Sequence, residues 1–434
     1  MIKDLTIFSS SVCNLKCTYC YVQKESSVFE YDSILVEALK SGEYIDRFKK
    51  DFPESISTLE SLETWGAEPS IHLDIVADKL KDFKTSFPNI KRFMMSSNYT
   101  TPCFVDNVQK MLTAMSLFPE TNWSFILQCS IDGMHDINDK NRGNGTTDKI
   151  IENLNKIKAL TIPENIMLYI SNKATISKEN FDLFLDYEYC KKYYSFFKKL
   201  FSCTNPRIKM NPNPPTCVEP IYYTKNDGCK YSLILQNFIK LSKEENYDFI
   251  PYVKRNNYKL SEKMCGGLCS QCHSSVIMLP NGYYGTCHRS SLDIVEAHYL
   301  SRCNEFKTMF DRELMSKDNW LGNINIYNNL RRNMKIHYST SSKMFFTQFY
   351  NEAKVLRNIG EISPLYFDDN ILKEHIKLFM QFTICLQTNK DLTGSYFCCS
   401  SYFIPLFFNG AMYHIYDYLK QNNKLDIKEA SIIG

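Results

Sequence analysis

Between residues 4 and 213, short apolar runs alternate with longer amphipathic stretches, and this alternation restricts the fold more than any other feature. "DLTIFSS" (4–10), "LESLETWG" (59–66), "RFMMSSN" (92–98), "WSFILQCSID" (123–132), "NIMLYISNKAT" (165–175) and "RIKMNPN" (207–213) read as strands. Between them, residues 31–52, 70–87, 102–115, 148–160 and 179–201 carry helical patterning. Strand then helix, repeated, calls for a parallel sheet with crossover helices. Six strands fall short of a closed eight-stranded barrel. The expected class is therefore α/β, a partial (β/α)6 barrel of TIM type.

The Pro- and Asn-rich "NPNPPTCVEP" (211–220) marks a domain edge. The organisation that follows is a barrel over 1–215, a bridging region over 216–260, a small α+β cysteine-bearing region over 261–305, and a mainly helical region over 306–434. With 44% hydrophobic and 23% charged residues, the 434-residue chain has ample material for a core. A net charge of +3 gives no reason to expect a nucleic-acid partner, and "KKYYSFFKKLF" (191–201) reads as a solvated helix face. The opening "MIKDLTIFSS" is charged at Lys3 and Asp4 and lacks a signal-peptide core. The most apolar stretch, 400–420, is interrupted by Pro405, Asn409 and Gly410, short of the ~18 apolar residues a membrane helix needs. A cytoplasmic protein with no membrane partner is expected.

Seventeen cysteines in such a compartment do not suggest a disulfide framework. Seven of them cluster: Cys13, Cys17 and Cys20 in a C-x3-C-x2-C pattern, then Cys265, Cys269, Cys272 and Cys287. Most of the others are isolated and read as small buried hydrophobes. Structural zinc takes four ligands, whereas the first trio supplies three and the first histidine is distant His72. A cubane iron–sulfur cluster also takes four, so three thiolates would leave one iron open to a second molecule. The trio follows the first strand, at the end of a β/α barrel where such folds place chemistry.

In these residues the chain resembles the radical S-adenosylmethionine (SAM) superfamily, whose cluster motif is matched by Cys13, Cys17 and Cys20 with aromatic Tyr19 before the last. "WGAEP" (65–69) resembles the family's Gly-Gly-Glu-Pro segment, with Gly66 and Glu68 kept and Ala67 in place of the second glycine. "SSNYT" (96–100), with Ser97 and Asn98, resembles a degraded Thr-Asn-Gly-Thr. "CSIDGMHDINDKNRG" (129–143) resembles the strand-four segment of the peptide-modifying branch, and "NKATISKEN" (172–180) its strand-five ending. The resemblance implies a [4Fe–4S] cluster held by the three cysteines, with SAM on the open iron. It implies that Glu68 receives the methionyl ammonium and that Ser130 and Arg142 contact SAM, Arg142 by forking onto the carboxylate. Tyr19, Gly66, Ala67, Ser97 and Asn98 would complete the SAM pocket, with Asp132 a catalytic residue in the same site. The implied activity is reductive cleavage of SAM to a 5′-deoxyadenosyl radical that abstracts a substrate hydrogen. A reductant such as a flavodoxin or ferredoxin would serve it.

Cys272, nine residues, Gly282, four residues and Cys287 resemble the opening of the SPASM or twitch extension. The run "SVIMLPNGYYGT" reads as a hairpin turned at Asn281-Gly282. By that resemblance Cys265, Cys269, Cys272 and Cys287 hold at least one auxiliary [4Fe–4S] cluster. Zinc in the same thiolates is the alternative. His288, directly after Cys287, stands where sulfatase-maturing relatives carry a catalytic Asp; a histidine there could accept a proton near neutral pH. The expected function is radical modification of a peptide or protein side chain, by crosslinking, thioether formation, epimerisation or oxidation. The alternatives are a radical SAM enzyme for a small molecule and a non-catalytic iron–sulfur or zinc protein.

Overall fold

The computed structural model describes residues 2–20, 32–176, 180–212, 275–278 and 284–285, with scattered positions between 216 and 245. In chain order its elements are β1 (Asp4–Ser10), α1 (Asp32–Ser41), α2 (Glu43–Asp51), α3 (Ser55–Thr58), β2 (Ser61–Gly66), a 3-10 turn (Pro69–His72) and α4 (Leu73–Ser86). There follow β3 (Arg92–Ser97), α5 (Phe104–Ser116), β4 (Trp123–Cys129), α6 (His135–Arg142), α7 (Thr146–Lys158), β5 (Ile166–Asn172) and β6 (Thr175–Ile176). The described elements end with α8 (Phe181–Leu185), α9 (Tyr187–Leu200), β7 (Ile208–Asn211), β8 (Thr216–Cys217), β9 (Ser275–Met278) and β10 (Tyr284–Gly285).

One sheet organises the first of two compact units, which takes in Met1–Ala174, Ser195–Asn213 and the strands β9 and β10. Its order is β10-β9-β1-β2-β3-β4-β5-β7. The pairs from β9 through β7 are parallel, and β10 turns back antiparallel on β9. This is an α/β fold with a seven-stranded parallel sheet, consistent with a TIM-like partial barrel. Because the strands run the same way, the segments after β1, β2, β3 and β4 all leave from one edge of the sheet. That edge is where open α/β sheets bind ligands.

Burial alternates along the strands. In β4, Trp123, Phe125, Leu127 and Cys129 are buried, while Ser124, Ile126 and Gln128 are half-exposed. In β5, Ile166, Leu168, Ile170 and Asn172 are buried, and Met167, Tyr169 and Ser171 are not. The period of two puts one apolar row against the core and leaves a more polar face. Phe93 and Phe125 meet edge to face with centroids 5.6 Å apart, and Phe48 and Phe87 do the same at 5.6 Å. Each such side chain, fully buried, contributes roughly 1.5–3 kcal/mol.

The boundaries depart from the sequence reading where the chain has local punctuation. The helix expected over 31–52 splits at Gly42, whose φ of 81° no helix interior adopts. Asp186 divides the stretch read as one helix over 179–201 into α8 and α9. Strand four stops at Cys129 rather than 132, so Ser130 and Asp132 lie in the segment after it. Helix α6 was not anticipated. The predicted hairpin is present as β9 and β10, but β9 also extends the main sheet, with Asp4 beside Ser275 and Ile7 beside Met278.

In the second unit, β6 and β8 form a short parallel pair. Phe184, Tyr193 and Phe238 stack there in mutual ring contact, with centroids 5.1–6.1 Å apart.

Candidate functional site

The chain leaves β1 at Ser10 and turns into the cysteine loop against Gly66. A β-carbon on Gly66 would meet the Ser10 carbonyl oxygen at 2.1 Å, and its φ is +151°. Glycine is required here because two backbones touch. The Ala67 N–H then donates to the Ser10 carbonyl at 2.8 Å, joining the ends of β1 and β2. On the other side of the loop, Asp32 Oδ1 accepts the Ser11 N–H at 3.0 Å and lies 3.2 Å from its Oγ. Asp32 Oδ2 pairs with His72 Nε2 at 2.9 Å. This Ser11–Asp32–His72 clamp pins the approach to Cys13, and sequence reasoning missed it because its members are far apart in the chain.

The end of β3 holds the loop from a third direction. Asn98 Nδ2 donates to Asn14 Oδ1 at 2.9 Å and approaches Cys13 Sγ at 3.6 Å. Asn14 Nδ2 donates to Thr100 Oγ1 at 2.9 Å, and Asn98 Oδ1 accepts the Thr100 N–H at 2.8 Å. Between them Tyr99 takes φ 61°, the left-handed region that a glycine occupies without strain. It stands at the position read as the altered glycine of Thr-Asn-Gly-Thr. Its ring, fully buried 4.2 Å from that of Phe104, holds the backbone there.

Glu68 is 2% exposed. Its Oε1 accepts the Ser70 N–H at 3.1 Å and its Oε2 the Asn98 N–H at 2.7 Å. Burial raises its carboxyl above the usual range, against the opposing hydrogen bonds from Ser70, Ser97 and Asn98. Ser130 follows β4 with its N–H on the Ser97 carbonyl at 2.8 Å, and Ser97 Oγ accepts the Tyr99 N–H at 3.1 Å. Asp132, fully buried, forms a two-pronged ion pair with Arg142: Nε to Oδ2 and Nη2 to Oδ1, both 3.0 Å. Tyr19, inside the cysteine loop, donates its hydroxyl to Asp132 Oδ2 at 2.6 Å.

Cys13, Cys17 and Cys20 form no disulfide and are of intermediate exposure. Burial pushes Cys13 up to about 12, with Glu68, Cys17 and Cys20 adding to the rise. Burial likewise pushes Cys17 up to about 11; Arg142 opposes the rise and Cys20 adds to it. Cys13 and Cys17 each sense Cys20, and Cys17 also senses Arg142, whose positive charge opposes the rise. Among the described residues, no three His, Cys, Asp or Glu side chains close on a single metal ion. The donor set fits a thiolate-held cluster with three protein ligands, the trio that would hold a [4Fe–4S] group.

The structure therefore gathers Cys13, Cys17, Cys20, Tyr19, Gly66, Ala67, Glu68, Ser97, Asn98, Ser130, Asp132 and Arg142 at the ends of β1 to β4. Cys265, Cys269, Cys272, Cys287 and His288 lie outside the described residues. One further acid was overlooked. Glu63, in the middle of β2, accepts the Thr6 hydroxyl at 3.0 Å and is raised by burial. A lone charged residue inside the strand "SLETWG" was the available signal. Of the cysteines read as small hydrophobes, Cys129 and Cys190 are buried, while Cys103 and Cys203 are half-exposed.

A parallel-stranded α/β sheet with a three-thiol loop after its first strand defines a class of protein, and comparison with known families makes it specific. Residues 7–178 match the family model described as the Radical SAM superfamily. The match spans the whole constellation from the cysteine loop to Arg142. It supports a radical SAM enzyme that uses SAM and a SAM-binding [4Fe–4S] cluster in reductive cleavage chemistry. No curated protein and no solved structure matches the chain. Among the described residues no helix is long and apolar enough to cross a membrane.

Proposed function

We propose that the protein is a radical SAM enzyme of the SPASM- or twitch-bearing kind that modifies a peptide or protein side chain in the cytoplasm. The observation that carries the SAM chemistry is the convergence of the cysteine loop, Glu68, Asn98, Ser130 and Arg142 on one sheet edge. When bound, the cluster and SAM supply a 5′-deoxyadenosyl radical. Cys13, Cys17 and Cys20 hold the cluster. Glu68 receives the methionyl ammonium, its two oxygens already oriented by backbone N–H groups. Arg142 takes the carboxylate, and Gly66 lets the ends of β1 and β2 close against each other where the ligand binds beside the loop.

The peptide-modifying part rests on sequence: the "SIDG" to Arg142 segment, and the spacing of Cys265, Cys269, Cys272, Gly282 and Cys287. Those cysteines hold an auxiliary [4Fe–4S] cluster, and His288 beside it is a candidate base. A flavodoxin or ferredoxin supplies electrons.

Anaerobic reconstitution tests both parts. About eight irons per chain, about four of them lost when Cys269, Cys272 and Cys287 become Ala, support the auxiliary cluster. About four irons with one zinc establish the zinc alternative. The substrate class is read by supplying SAM, a reductant and a small peptide encoded beside the gene. A changed peptide mass with matching 5′-deoxyadenosine is expected. An unchanged peptide would favour a small-molecule substrate.

A further inference from the structure

The most heavily bonded group in the site is Asp132, fully buried just beyond β4. Its Oδ2 accepts from the Tyr19 hydroxyl at 2.6 Å, Arg142 Nε at 3.0 Å and Asn141 Nδ2 at 3.2 Å. Its Oδ1 accepts from Arg142 Nη2 at 3.0 Å, and its N–H donates to Asn138 Oδ1 at 3.0 Å. A carboxylate so occupied has little capacity left for a substrate or for proton transfer.

The donors come from both sides of the site. Tyr19 sits between Cys17 and Cys20, whereas Asn141 and Arg142 belong to the last turn of α6. Two more contacts join the same partners: the Thr18 N–H donates to the Asn141 carbonyl at 2.9 Å, and the Arg142 guanidinium carbon lies 5.5 Å from the Tyr19 ring centre. Asp132 uses only the Nε/Nη2 edge of the guanidinium. Arg142 Nη1 makes no hydrogen bond among the described residues.

We infer that Asp132 is a positioning residue, not a catalytic one. With Tyr19 it fixes the plane of Arg142 against the cysteine loop and leaves the Nη1 edge to receive the SAM carboxylate. This rests on the SAM-binding role proposed above for Arg142. The reason is physical. Arginine gains affinity for a carboxylate when its planar fork is already oriented, and a buried guanidinium needs an anion to stay in place. Tyr19 ties that orientation to the loop carrying the cluster ligands, so binding of the amino-acid end and geometry at the open iron are set by one network.

The test is anaerobic SAM titration of cluster-loaded wild type, Asp132→Asn, Tyr19→Phe and the double variant, with iron content, melting temperature and the SAM-induced change in the cluster's paramagnetic spectrum. The expected result is retained iron in each variant. The SAM dissociation constant should rise about ten-fold or more in Asp132→Asn, as for loss of a charged hydrogen bond. It should rise a few-fold in Tyr19→Phe. The double variant should be no worse than Asp132→Asn, because Tyr19 acts through Asp132. Unchanged or tighter SAM binding in Asp132→Asn overturns the inference, the latter showing that Asp132 competes with SAM for the guanidinium. Iron loss in step with lost binding overturns it too, by reducing the network to a structural brace. If Asp132→Asn does not fold, wild-type affinity in Tyr19→Phe is decisive against it. A wild type that binds no SAM refutes the functional reading itself.

Discussion

The carboxylate of Glu68 accepts the backbone N–H of Asn98 at 2.7 Å, closing the gap between the end of β2 and the end of β3. Its other oxygen takes the Ser70 N–H at 3.1 Å, and the Asn98 side chain reaches on to Cys13. One buried acid thus orders two strand ends and, through Asn98, the first cluster ligand.

Glu68→Ala strands two buried backbone donors and is expected to destabilise the fold by about 3 kcal/mol. Glu68→Gln keeps one acceptor oxygen but turns an amide N–H toward the other donor, so about half that loss is expected. Urea unfolding of the apo-protein measures both. A wild-type midpoint for Glu68→Ala contradicts the assignment of the two hydrogen bonds.

Gly66→Ala tests the contact between β2 and the start of the cysteine loop. The added methyl would overlap the Ser10 carbonyl, and backbone rather than a flexible side chain would have to move. A loss of about 3 kcal/mol or more is expected, with weakened iron uptake at the trio, because Ser10 leads directly to Cys13. An alanine variant with wild-type melting and full iron would show that the close approach does not matter.

These two positions show what the sequence could and could not disclose. The strand–helix alternation was readable because each strand carries an apolar run bounded by polar or turn residues, as "WSFILQC" does. The candidate site residues could be named because the motifs that carry them are local. Helix α6, "HDINDKNR", escaped because only Ile137 on it is apolar; its other buried residues are the polar Asn138, Asn141 and Arg142. The pairing of β9 with β1 joins residues about 270 positions apart, and no local signal carries such a register. The fork of Arg142 onto Asp132 was equally hidden. Both side chains were legible as members of the site, but which anion Arg142 holds depends on how α6 packs against the loop.

The turn between α6 and α7 gives a pH-dependent prediction. Asp139 Oδ1 accepts the Thr147 N–H at 2.8 Å and the Thr147 hydroxyl at 2.5 Å, and Oδ2 accepts the Gly145 N–H at 3.1 Å. Burial alone would raise this carboxyl, but the hydrogen bonds from Thr147, Gly145 and Thr146 outweigh it and hold it below the usual range. A folded-state value below the unfolded one, about 4, means the stabilisation is complete above that pH. It is lost as pH falls through the folded value. Asp139→Ala should cost about 1 kcal/mol at neutral pH, as for loss of a helix cap. The gap from wild type should narrow as pH falls below about 4. A gap that stays constant under acid would contradict it.

The central claim is that Cys13, Cys17 and Cys20 hold a cluster that cleaves SAM. The most direct measurement is 5′-deoxyadenosine formed by anaerobically reconstituted protein with reductant and SAM, in wild type and in a variant with all three cysteines changed to Ala. Product from wild type is predicted. The triple variant should form none while losing about four irons per chain. Equal 5′-deoxyadenosine from both proteins would contradict the account.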